Sequence, residues 1–94
     1  MKVTTHYLHK LEELFAESDY ILRYEKGSFK SGWCVLNDTK VILVNAFYPL
    51  EGKVNSLIEI LRSVKLDTQK FSDKSKKLYY EVTQLEIELP KNKE

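Results

Sequence analysis

The stretch Val41-Ile42-Leu43-Val44-Asn45-Ala46-Phe47 decides the fold of this chain, and the other segments arrange themselves around it. A strand points successive side chains to opposite faces. Here both faces are apolar, with Asn45 as the polar interruption, so the segment is expected to be the most buried strand of a sheet. Pro49 cannot donate to a ladder and ends it. Extended to Leu50, the run is still well short of the roughly 20 residues that cross a bilayer.

Working upstream, Asn37-Asp38-Thr39-Lys40 is a turn, because its residue types tolerate turn conformations. Residues 33–36 are a second strand, preceded by the loop Lys26-Gly27-Ser28-Phe29-Lys30-Ser31-Gly32. Residues 20–25 form a further strand, with Tyr20, Leu22 and Tyr24 on one side and Ile21, Arg23 and Glu25 on the other. The short connections favour a plain antiparallel meander.

Helices flank these strands. Tyr7, Leu8, Leu11, Leu14 and Phe15 fall in one helical stripe, predicting a helix over 5–18 capped by a threonine hydroxyl. His6, His9, Glu13 and Ala16 occupy its opposite side. Downstream, Val54, Leu57, Ile58, Leu61 and Val64 predict a helix over 51–65. Its polar side carries Lys53, Asn55, Glu59 and Arg62. Ser72-Asp73 can start a third helix over 72–84, in which Phe71, Leu78, Val82 and Leu85 keep helical spacing. The alternation of Leu85, Ile87 and Leu89 with Glu86 and Glu88 leaves a fourth strand over 82–89 as the rival. The expected fold class is therefore α+β: helix, three-stranded antiparallel meander, helix, then a C-terminal helix. Residues 1–89 are one domain and 90–94 a disordered tail.

Composition narrows the function. The chain has 94 residues, enough for one modest core and too few for two domains. Its 15 basic and 14 acidic residues give a net charge of +1, without the basic excess of a dedicated nucleic-acid binder. The single cysteine, Cys34, excludes an internal disulfide framework and a cysteine-rich zinc site. The first residues lack the apolar segment of a secretory signal, so the expected location is cytoplasmic.

Candidate chemistry is sparse. His6, His9 and Glu13 share a helical face and are an acceptable zinc set, but no fourth ligand is apparent and the face reads as solvated. Cys34, between Trp33 and Val35, reads as a small core hydrophobe, since nothing nearby would activate a thiolate. No nucleophile elbow, phosphate loop or dinucleotide fingerprint is present. The expectation is no enzyme, no cofactor and no metal.

Several resemblances attach to particular stretches. Lys30-Ser31-Gly32-Trp33-Cys34-Val35 echoes an RNA-recognition strand, but that fold begins with a strand. The order helix, three strands, helix resembles the double-stranded RNA-binding domain. The start of the second helix, Gly52-Lys53-Val54-Asn55-Ser56, carries one lysine where that family has a lysine cluster. The same order is similar to the core of zinc-dependent peptidases of the regulatory metalloendopeptidase type, whose His-Glu-x-x-His is missing here. More closely, residues 8–82 resemble a family of short uncharacterised bacterial proteins with an α-β-β-β-α core. That resemblance rests on Leu22-Arg23-Tyr24-Glu25-Lys26-Gly27, Gly32-Trp33-Cys34-Val35-Leu36, Val41-Ile42-Leu43-Val44-Asn45 and the helix from Val54 to Val64. It implies the fold and no activity.

The leading expectation is a small non-enzymatic interaction or regulatory protein. Apolar groups lie on both sides of the first two strands, while two helices can cover one face only. The other face needs residues 71–89, a protein partner or a second copy over it. The alternative is nucleic-acid binding through Arg23, Lys26, Phe29 and Lys30 at the hairpin, with Trp33 beside them and Lys74, Lys76 and Lys77 in support. Together Arg23, Lys26, Phe29, Lys30 and Trp33 form the candidate interaction surface.

Overall fold

The computed structural model describes the backbone of residues 3–92 and the side chains of residues 3–83. Helix α1 spans Thr5–Ala16, strands β1, β2 and β3 span Tyr20–Glu25, Gly32–Leu36 and Thr39–Asn45, and helix α2 spans Leu50–Ser63. A short 3-10 turn at Thr68–Lys70 precedes helix α3, Asp73–Asn92.

Local chemistry sets the boundaries. Thr4 Oγ1 accepts from the Tyr7 amide at 3.0 Å, satisfying one of the free donors at the start of α1. Ser18 closes that helix: its hydroxyl donates to Phe15 O and accepts from the Tyr20 amide, which turns the chain into β1. At the β2–β3 turn, Asn37 and Asp38 have φ of 50° and 68°. Positive φ at both central residues is what a tight type I′ hairpin demands, and Asn and Asp tolerate it best after glycine.

The sheet is not the expected meander. Its strand order is β1-β3-β2, with β3 parallel to β1 and antiparallel to β2. The reason lies in β3 itself. It is the strand apolar on both faces, so a central position buries it best, whereas a meander would have left it on an edge. Residues 26–31 must then carry the chain over the end of β3, across two strand spacings, or about 10 Å.

Asn45 holds that crossing in place. Its Nδ2 donates to Gly27 O and to Phe29 O, both at 2.8 Å. Its Oδ1 accepts from the Phe47 amide, and its own amide donates to Ser31 Oγ, each at 3.0 Å. Asn45 is buried, and every polar atom of its side chain is used. These bonds also end β3 short of Phe47, which stands exposed beyond the ladder.

One face of the sheet meets α1 and α2, and α3 packs on those two helices. A single core joins Leu11, Leu14 and Phe15 of α1, Val54, Leu57 and Leu61 of α2, and Ile42 and Val44 of β3, with Leu78 and Val82 of α3 completing it. Ile60 is buried too, outside the stripe expected for α2, because α2 has packing partners on more than one side. Residues 82–89 fall within α3, so the backbone there is helical rather than a fourth strand. The expected disordered tail coincides with the last backbone of α3 at 90–92 and with Lys93 and Glu94, which lie outside the described residues.

Candidate functional site

The register assigns each strand residue a face. Leu22, Ile42 and Trp33 lie in one row across the sheet, as do Tyr24 and Val44, on the side that meets the helices. Ile21, Val41 and Cys34 form a row on the other side, flanked by Leu43 and by Leu36. No element lies over this second face among the described residues. Ile21 is 50% exposed and Leu36 59%. Val41 is buried yet stays outside the hydrophobic core. Charge is confined to the β1 side of the face, where Arg23 pairs with Glu25 at 2.7 Å.

The outer edge of β2 adjoins this face. The Ala46 amide donates to Glu25 O at 2.8 Å, so Ala46, and with it Val44 and Ile42, direct their backbone groups toward β1. Val41 and Leu43 between them must address β2, where they face Cys34 and Gly32. Antiparallel ladders alternate, so the N–H and C=O of Trp33 and Val35 point away from β3. The side chains around these outward groups are apolar and accessible: Trp33 is 46% exposed and Val35 53%. Trp33 leans over the sheet, meeting the Tyr20 ring edge-on at 6.3 Å. β2 has no charged residue and no proline, the usual means of blunting an edge.

The candidate surface read from the sequence divides in this geometry. Arg23 lies on the open face and is held by Glu25. Trp33 lies on the opposite side of the sheet. Lys26, Phe29 and Lys30 belong to the loop that crosses the end of β3, where the Phe29 ring folds back on Gly27; a Cβ there would stand 3.2 Å from it. His6, His9 and Glu13 are exposed along α1. Among the described residues, no group of three or more His, Cys, Asp or Glu can hold a metal ion. Cys34, expected in the core, is half-buried on the open face. Lys74 and Lys77 flank a shallow cleft with Lys10, Leu78 and Glu81 between α1 and α3.

The sequence reading missed the edge. A meander places β2 in the middle of the sheet, where its outward amides would be paired. Asn45 was the available signal, because one polar residue in an apolar strand must find partners, and here they are the carbonyls of the crossing loop. No family model, curated protein or solved structure matches the chain. The parallel β1–β3 pair also takes the sheet out of the meander that the sequence-based likeness to RNA binders and zinc peptidases assumed. No helix among the described residues is long and apolar enough to cross a membrane.

Proposed function

We propose that this protein is a small non-enzymatic interaction module whose working surface is the β2 edge together with the open face of the sheet. The observation that carries this reading is the state of β2, an accessible apolar edge strand with outward backbone groups and no charge or proline to deter pairing. Such an edge is a template for strand addition, in which main-chain bonds give affinity and alternate side chains give specificity. Of residues 71–89, one of the expected covers for the open face, Phe71, Leu78 and Val82 pack instead in the helical layer.

Tagged wild-type protein and Val35→Lys, used as bait in extracts of the native cell, test the reading. The charge should remove whatever the wild type retains, whether another protein or an untagged copy of this chain. Equal capture by both baits would overturn it. Salt-sensitive nucleic-acid binding that survives Val35→Lys and is lost on changing Lys26 and Lys30 to alanine would replace it with the basic-loop alternative.

A further inference from the structure

We propose that the occupant of the β2 edge is β2 of a second copy, paired antiparallel about a two-fold axis through Cys34, so that the two sheets become one. This rests on the proposed function and names the partner for that surface. Three features of the strand point to its own copy.

The first is the backbone. Trp33 and Val35 are the β2 residues whose N–H and C=O face outward, and they sit symmetrically about Cys34. In the proposed register Trp33 faces the partner's Val35 and Val35 faces the partner's Trp33. Each pair exchanges both of its backbone bonds, and Cys34 falls at the non-hydrogen-bonded position between them. A two-fold interface must be self-complementary in this way.

The second is shape. The same register sets Leu36 opposite the partner's Gly32 on the open face. A Cβ built on Gly32 has nothing within 4 Å, so there is space over that position for a leucine side chain. On the helix-covered side each Trp33 lies beside the partner's Val35, an aromatic–β-branched cross-strand pair.

The third is charge. β2 is neutral from Gly32 to Leu36, so antiparallel pairing with its copy sets no like charges against each other. A shift of one step in either direction about the axis loses the fit of Leu36 to the partner's Gly32 and sets Cys34 against Gly32 or Leu36. All helices remain on one side of the joined sheet, and the row Ile21-Val41-Cys34 continues into its copy on the other. The pairing therefore leaves a broader open face.

A strand of five residues makes a small contact, so association is expected in the micromolar range. Sedimentation of wild-type protein from about 1 to several hundred micromolar, a span bracketing that range, should show monomer giving way to dimer. Two variants separate edge pairing from face-to-face packing. Val35→Pro removes an outward amide without touching the β2–β3 ladder, and Val35→Lys adds like charge at the contact; each should shift dissociation at least tenfold. Ile21→Glu, on the open face, should leave it unchanged.

Cys34 reports the register. In the proposed pairing the two Cα atoms lie about 4.5 Å apart, at the short end of disulfide geometry. Diamide, which takes up the two protons and two electrons released as two thiols become one disulfide, should cross-link wild type and not Val35→Pro. A wild type that stays monomeric, a dimer indifferent to both Val35 changes, or a dimer that diamide does not cross-link would each overturn the proposal. In the first case, capture of a different protein that Val35→Lys abolishes would leave the proposed function standing.

Discussion

The sheet has two edges, and they are finished differently. β1 is braced. Its Tyr24 hydroxyl donates to the Glu12 carboxylate on α1, Lys53 of α2 lies over the Tyr24 ring at 5.7 Å, and Arg23 and Glu25 pair along its outer face. The approach to β1 is tied as well. Asp19 accepts from Lys70 at 2.8 Å, and Glu17 takes the Ser72 amide at 2.8 Å and the Ser72 hydroxyl at 3.1 Å. β2 is held by β3 along its inner side, by the tight turn at Asn37-Asp38, and by α2 over one face. An edge that carries charge and is roped to helices is closed to strand addition, whereas one left apolar is available for it. The side-chain ties to the helices thus gather on β1, while β2 keeps an accessible apolar edge.

The largest effect is expected where the two edges are joined. Asn45→Ala removes the donors to Gly27 O and Phe29 O and the acceptor for the Phe47 amide, leaving part-buried backbone groups unpaired. We expect a loss of about 3 kcal/mol in chemical denaturation. Asn45→Asp is nearly isosteric but puts carboxylate oxygens where donors are needed. It should cost at least as much, and a mild effect would mean that the crossing loop is held by something else.

At the β2 edge the turn is the weak point. Asn37→Val forces a β-branched residue to a φ near 50° and should cost about 1–2 kcal/mol. Amide exchange should show the loss concentrated in β2, with β1 and its pairing to β3 protected as before. Uniform loss across the sheet would show that β2 is not the separable edge the comparison makes it.

Why the sequence disclosed some of this and hid the rest follows from range. Helix stripes are local: Leu8, Leu11, Leu14 and Phe15, and Val54, Leu57, Ile58, Leu61 and Val64, are buried as their spacing requires. The three strand segments were legible for the same reason, as was the Asn37-Asp38 turn. Strand order is not local. The Asn37-Asp38 turn fixes β2 beside β3, yet loop 26–31 is long enough either for a hairpin or for a passage over one intervening strand. What decides between them is the burial gained by centring Val41–Val44, together with the bonds of Asn45, and neither is a property of the loop's own residues. The site followed the order: with β2 in the middle, Trp33 and Val35 look like core, and the basic loop residues draw the attention. Arg23 and Trp33 lie close in sequence but on opposite faces of the sheet.

Along the braced edge, Tyr24→Phe should cost about 1 kcal/mol near neutral pH, the net value of one hydrogen bond. Burial first, then the bond to Glu12 and its charge, raise the pKa of Tyr24. In the unfolded chain a tyrosine ionises near 10, so above that pH the unfolded state sheds a proton that the folded state keeps. Wild-type stability should therefore fall with alkalinity, and Tyr24→Phe should fall less steeply in denaturation curves collected from pH 9 to 11.

The smallest effect belongs to the outermost tie. The amide of Ser72 holds the Glu17 carboxyl below the usual carboxylate range; burial opposes it, and the hydroxyls of Ser75 and Ser72 add to the lowering. A depressed carboxyl stabilises the folded state above the unfolded pKa, about 4.3, and that contribution disappears as pH falls through the lower folded value. Glu17→Gln should remove less than about 0.5 kcal/mol at pH 7, the scale of a solvent-screened surface contact, and should flatten the stability profile below pH 4. The same substitution should leave dimerisation through β2 untouched, because Glu17 lies at the end of α1, on the approach to the opposite edge. An effect of Glu17→Gln on self-association would show that the bracing of β1 and the availability of β2 are coupled through the helical layer rather than divided between the two edges.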